Sequence, residues 1–183
     1  MEIRSLGLDG VFEIIPRKFG DDRGFFSETY KAKALAEAGI NLSFVQDNHS
    51  YSAAKGVVRG LHYQLPPFAQ DKLVRVIRGA ILDVVVDIRK KLPTFGKWVS
   101  LEVSAEKWNQ ILVPKGFAHG FITLTEDTEV VYKVTEYYAP EYDRSIYFAD
   151  PAIGIDWAAP TISVQLSDKD KKAPLLADAE VFA

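Results

Sequence analysis

One stretch of the sequence puts a cation and an imidazole close enough to serve a single pocket. From Gly56 to Gln64 it reads Gly-Val-Val-Arg-Gly-Leu-His-Tyr-Gln. An unbroken strand would set Val57, Arg59 and Leu61 on one face, with Val58, Gly60 and His62 on the other. Gly60 disturbs that alternation, because Gly inside a strand often marks a bulge or a close backbone approach. A cation and an imidazole beside such a Gly suit a site where an anionic ligand comes near the main chain. If His62 is a general base, it needs an acceptor to orient its second ring nitrogen. Asp170, in Ser167-Asp-Lys-Asp170, is the candidate. Lys72 and Tyr132 fall at or within predicted strands. Taken singly, a strand Lys is ordinarily a surface charge, a strand Tyr packing and a loop Asp a solvated carboxylate. A base, a fixed cation and a phenol together suit removal of a proton beside a carbonyl. The imidazole takes the proton, the ammonium stabilises the enolate oxygen, and the phenol returns a proton from the opposite face. Arg23 and Arg59 offer planar forks for phosphate oxygens. Phe25, Phe26 and Glu28 could form part of a wall around a nucleobase, while Asp87 and Arg89 could pair with each other or with partner strands and read as structural.

The elements that must position these groups are mostly strands. β-Rich runs are predicted over Val11–Phe19 and Phe25–Tyr30, separated by the turn signal Gly-Asp-Asp-Arg-Gly. Lys31–Ala38 is a short run of strong helix formers that Gly39 stops. Strands then follow at Phe44–Ser52, Val57–Gln64, Lys72–Arg78, Ala80–Arg89, Trp98–Ser104, Gln110–Val113, His119–Thr125 and Glu129–Tyr138. Their spacing and turn residues argue an antiparallel all-β sandwich or barrel. Lys72–Arg78 alternates poorly and reads as a strand buried on both faces. Beyond Tyr138 the pattern loosens into an irregular C-terminal cover.

With 183 residues, one domain spanning 1–183 is expected. Cysteine is absent, which removes disulfides and thiolate chemistry and fits a reducing compartment. No apolar run approaches about 18 residues, and Met-Glu-Ile-Arg-Ser lacks a signal-peptide core, so a cytoplasmic protein is expected. The net charge of −3 is small and spread out, which points to neither nucleic acid nor membrane as partner.

The histidines are His49, His62 and His119. Cupin barrels carry Gly, five residues, then His-x-His, followed later by Pro-x-Gly-x-x-His. Gly56 and His62 show the first spacing, and Pro114-Lys-Gly116-Phe-Ala-His119 shows the second. Gln64 replaces the second His of the pair, and an amide is a poor substitute for imidazole at a transition metal. The pattern therefore resembles a cupin-type barrel whose metal site is dismantled, with His62 left free for proton transfer.

Taken together, the segments resemble the dTDP-4-dehydrorhamnose 3,5-epimerase family. They are Asp22-Arg-Gly-Phe-Phe-Ser-Glu28, Phe44-Val-Gln-Asp-Asn-His-Ser50, Val58-Arg-Gly-Leu-His-Tyr-Gln64 and Lys72-Leu-Val-Arg-Val-Ile-Arg-Gly79. Asp83-Val-Val-Val-Asp-Ile-Arg89 as a block, Pro93-Thr-Phe-Gly96, Pro114 to Phe121, Tyr132-Lys-Val-Thr135 and Leu166-Ser-Asp-Lys-Asp170 complete the set, in the family's order. The resemblance implies a cupin-like jelly roll, a homodimer with exchanged N-terminal strands, and no cofactor or metal. It implies a substrate, dTDP-4-dehydro-6-deoxy-D-glucose, inverted at C3 and C5. By the same resemblance His62 is the base, held by Asp170, Tyr132 the acid, and Lys72 the group near the C4 oxygen. Arg23 and Arg59 would hold the diphosphate, Glu28 and Gln46, Asp47 and Asn48 the nucleoside, and His119 would line the sugar pocket. Asp143 stands where the family often has Glu, and Lys169 is a further polar contact near the sugar nucleotide.

Three other readings are compatible with parts of the pattern. An epimerase acting at only C3 or only C5 would use the same catalytic groups. A non-catalytic sugar-nucleotide-binding jelly roll would need Arg23 and Arg59 but not His62, Asp170, Lys72 and Tyr132 together. A metal-dependent cupin oxygenase would hold stoichiometric metal.

Overall fold

The computed structural model of the chain describes residues 1–157 and 163–183. Two antiparallel sheets face each other. The first has the strand order β1 (Glu2–Ser5), β2 (Phe12–Ile15), β10 (Gln110–Val113), β7 (Lys72–Arg78), β12 (Thr128–Val134), β5 (Gln46–Ser52). The second runs β13 (Asp143–Ser145), β6 (Val58–Gln64), β11 (Phe117–Thr123), β8 (Ala80–Asp87), β9 (Trp98–Ser104). A separate hairpin joins β3 (Lys18–Asp21) to β4 (Gly24–Ser27). This is the expected antiparallel sandwich of cupin type.

Side-chain alternation explains why the sheets stack. Val74 and Val76 on β7, Ile81 and Val85 on β8, Ile111 and Val113 on β10 and Val130 on β12 fill the space between them. Each such side chain contributes about 1.5–3 kcal/mol on burial. The opposite face of β8 carries Val84 and Val86, fully buried under Ile146, Ile153, Trp157 and Leu176. The irregular C-terminal segment therefore does cover the second sheet. Tyr63 Oη ties it down by donating to the Glu180 carbonyl at 2.6 Å.

The helix α1 (Ala32–Glu37) buries Leu35 against Ile14, Leu73 and Leu112 on the outer face of the first sheet. Gly39, at φ +83°, takes the left-handed conformation that ends it. This packing is why β7 is covered on both faces at Leu73 and Val74, whereas Ile77 and Arg78 at its far end are exposed. The expectation for β7 thus holds for half the strand. The predicted run Val11–Phe19 breaks at Pro16 and Arg17, and its second half pairs with β4 instead of the sheet; proline has no N–H to give a ladder. β1 and β13 were not expected, being short and without apolar alternation. Among the described residues no helix is long and apolar enough to cross a membrane.

β6 departs from simple alternation at Gly60. His62 lies opposite His119 and Arg59 opposite Phe121, so Gly60 and Leu61 together face the single residue Gly120. This extra residue is a bulge, and it turns Arg59 and His62, three apart, toward the same cavity. Val58, Leu61 and Tyr63 go to the core on the other side. Gly60 sits at φ +137°, and a Cβ there would lie 2.4 Å from Gly120 Cα and 2.9 Å from the His119 carbonyl oxygen. Gly60→Ala is expected to destabilise the fold by roughly 2–5 kcal/mol, from backbone strain plus overpacking. A thermal melt within a degree of the parent would show that the two backbones need not approach.

Candidate active site

The bulge opens one wall of a cavity of about 440 Å³ between the sheets. Arg59 and His62 from β6, Lys72 from β7, His119 from β11 and Tyr132 from β12 line it, with Asp170 from the C-terminal cover. A second lobe of about 400 Å³ shares His62, Lys72 and Tyr132 and adds Gln46, Asn48, Tyr138, Asp143 and Lys169. The four groups expected to do acid–base work thus converge from four separate parts of the chain.

Asp170 reaches His62 because a single helical turn, α2 (Asp168–Lys171), presents it. Ser167 caps that turn, its Oγ accepting from the Asp170 N–H at 3.1 Å. The Asp170 side chain is buried and its Oδ1 lies 2.5 Å from His62 Nε2. Burial pushes Asp170 upward, but hydrogen bonds and charge from His62, with Ser167 and the Gly60 N–H, outweigh it and hold the carboxyl below its ordinary value. An ionised carboxylate accepting from Nε2–H leaves Nδ1 as the lone-pair nitrogen of His62. That is the form a base requires.

Lys72, the first residue of β7, is brought down to about 8 by burial, against the opposing pull of Asp143 and Asp83. Its Nζ lies 3.5 Å from the His62 carbonyl oxygen. Burial raises the Tyr132 phenol, with Asp143 adding to this and Arg59 opposing it. The phenol therefore carries its proton at neutral pH, as a proton donor must. Arg59 is steadied from β5: its Nη2 donates to the Tyr51 carbonyl at 2.9 Å and its Nε to Ser52 Oγ at 3.3 Å.

Other expected site residues divide. Gln46 and Asn48 face the second lobe, joined by a 2.8 Å hydrogen bond from Gln46 Nε2 to Asn48 Oδ1. Asp47 does not join them. Alternation along β5 turns it to the outer face, where Lys133 Nζ donates to it at 2.8 Å. Asp143 and Lys169 sit at the mouth but pair with each other, and Tyr138 Oη donates to Asp143 at 3.3 Å. Arg23, Phe25, Phe26 and Glu28 are not brought to the cavity within one chain. Arg23 pairs with Asp21 on the exposed hairpin, Phe25 stacks edge-on against Trp108, and Glu28 pairs with Lys31.

His49 lies on the outer face of β5 with Glu129, 2.9 Å away, and so does not share a site with His62 and His119. Gln64 is occupied as a brace. Its Nε2 donates to the carbonyls of Phe68 and Tyr137, and its Oε1 accepts from the Ala139 N–H. Among the described residues no group of three or more His, Cys, Asp or Glu side chains could hold a metal ion. Sequence reasoning missed the capping Ser167, the exposed Tyr138 at the mouth and the buried Asp83, whose Oδ2 lies 2.8 Å from His119 Nε2. The available signal for Asp83 was a lone carboxylate in phase with the inward residues Ile81 and Val85.

The family model described as dTDP-4-dehydrorhamnose 3,5-epimerase matches residues 5–178. The chain belongs to this epimerase family. It is 52% identical over 181 residues to the dTDP-4-dehydrorhamnose 3,5-epimerase of Sinorhizobium fredii, covering 99% of this chain and 92% of that protein. It is 38% identical over 180 residues to a dTDP-4-dehydrorhamnose 3-epimerase of Streptomyces niveus, covering 98% and 86%. The crystal structure of a dTDP-6-deoxy-D-glucose-3,5-epimerase from Legionella pneumophila, in complex with dTDP-4-keto-L-rhamnose, matches with a TM-score of 0.91 at 48% identity. That match covers 96% of this chain and 93% of the other.

Proposed function

We propose that this chain inverts C3 and C5 of dTDP-4-dehydro-6-deoxy-D-glucose to give dTDP-4-dehydro-L-rhamnose. The observation that carries the reading is the convergence of the His62–Asp170 dyad, the Lys72 ammonium and the Tyr132 phenol on one cavity. His62 removes the proton from a carbon beside the C4 ketone. Lys72 stabilises the enolate oxygen, and Tyr132 returns a proton on the opposite face. Each inversion removes one proton and restores one, so the reaction needs no redox cofactor. Arg59 holds the diphosphate, Gln46 and Asn48 meet the nucleoside, and His119 lines the sugar pocket.

Arg23, Phe25, Phe26 and Glu28 complete the site of a second copy in a homodimer that exchanges N-terminal segments. Support comes from the β3–β4 hairpin, which among the described residues pairs with no other strand and leaves Phe25 56% and Phe26 67% exposed. A lone two-stranded hairpin is marginal in water, and a partner surface would supply its missing burial. The lack of cysteine fits a cytoplasmic enzyme.

Incubation with substrate in D₂O, followed by mass spectrometry, tests the reaction. Two incorporated deuteriums, with the product reducible to dTDP-L-rhamnose by a 4-ketoreductase, are expected. One deuterium would shift the reading to a mono-epimerase, the activity named for the Streptomyces niveus relative. None, with nucleotide bound, would leave a binding protein.

A further inference from the structure

Asp83 lies in the inward-facing row of β8, between Ile81 and Val85, and is fully buried. Its Oδ2 meets His119 Nε2, but its Oδ1 is buried and among the described residues has no hydrogen-bond partner. A carboxylate placed in an apolar layer with one oxygen unsatisfied is costly unless other charge compensates it. Lys72 enters the same space from the opposite sheet, and among the described residues no carboxylate oxygen lies within 4 Å of its Nζ. Arg59 and His62 from β6, His119 from β11, Tyr132 from β12 and the mouth pair Asp143 and Lys169 face this region as well.

We infer that Asp83 is a positioning residue of this site: it fixes the ring of His119 and supplies the interior negative charge that faces Lys72. The inference rests on the epimerase reading, in which Lys72 must be an ammonium to stabilise the enolate. Burial raises the Asp83 carboxyl, while the charge and hydrogen bond of His119 and the charge of Lys72 oppose that rise; the sign of its effect on Lys72 follows from the surroundings. Burial favours the neutral amine, Asp83 and Asp143 favour the cation, and Lys169 opposes it. Removing the Asp83 charge leaves Asp143 alone against burial, so Lys72 loses its proton at lower pH.

Asp83→Asn keeps the shape and removes the charge. The alkaline midpoint of the kcat profile is expected to fall by about one pH unit, the low end for a nearby opposite charge. A one-unit fall means about tenfold lower kcat well above both midpoints, with KM little changed. A variant with the parental alkaline midpoint would overturn the inference while leaving the epimerase reading intact. Loss of deuterium exchange in the parent protein would instead overturn that reading. Two measurements on the parent protein do not depend on the variant folding. The ¹³Cγ shift of Asp83 is expected to report a carboxylate at pH 7, and the ¹⁵N shifts of His119 an Nε2–H ring. A protonated Asp83, or a His119 ring carrying its proton on Nδ1 alone, would overturn the inference.

Discussion

His62→Ala is expected to lower turnover by about 10²–10⁴-fold, the usual contribution of a positioned acid–base group. Deuterium incorporation into the substrate should fall in parallel, because the same imidazole takes each proton. Affinity for dTDP, measured by calorimetry, should stay near that of the parent, since Arg59, Gln46 and Asn48 are untouched. A variant that keeps most of its activity would remove His62 from the role of base. The same variant examines the proposed dimer. Mixed and allowed to exchange subunits with Arg23→Ala, it should recover activity, because one site of the hybrid then carries both an intact hairpin and an intact His62. Failure of two separately inactive proteins to complement would argue that Arg23 serves its own chain.

Lys72→Met carries the second large effect. The side chain is nearly isosteric and the cavity wall is kept, so the change isolates the charge. A preorganised donor at an oxyanion contributes about 3–4 kcal/mol, or roughly 10²–10³ in kcat. Because the ketone of the ground state needs less stabilisation than the enolate, the loss should fall on kcat and leave KM close to unchanged. In the parent enzyme the ammonium is present below about pH 8 and is lost above it, so the parent profile should decline on the alkaline side near that value. The Met variant should lose that limb. An alkaline limb of the same midpoint in Lys72→Met would assign it to another group.

Much of this could be read from the residues. The strand series from β5 to β12 announced itself through period-two alternation and turn residues, and burial of both faces of β8 agrees with an apolar run that Asp83 alone interrupts before Asp87. Lys72, Tyr132 and Asp170 have poor claims one at a time; their joint fit to a single proton-transfer chemistry, strengthened by the family resemblance, singled them out. Alternation along β5 also held the answer for Asp47, which is out of phase with Gln46 and Asn48. Other features lay beyond a linear reading. That Arg59 and His62 share a face depends on Gly60 and Leu61 opposing Gly120, a contact across 60 residues of chain. The unpaired oxygen of Asp83 depends on what the opposite sheet presents. The proposed place of Arg23, Phe25 and Phe26 depends on a second copy of the chain.

The bulge in β6 has a consequence for which linkers the enzyme will accept. Arg59 and His62, proposed as anion anchor and base, stand on one continuous strand, about 10 Å apart along its axis at the ordinary rise per residue. Pairing with β11 fixes the two backbone positions, and the bonds from Arg59 to the Tyr51 carbonyl and Ser52 Oγ hold its guanidinium. The strand therefore acts as a gauge for the length between phosphate and sugar carbon. A 4-keto sugar whose phosphate is set further from the ring by an inserted spacer is expected to satisfy the anchor or the base, but not both at once.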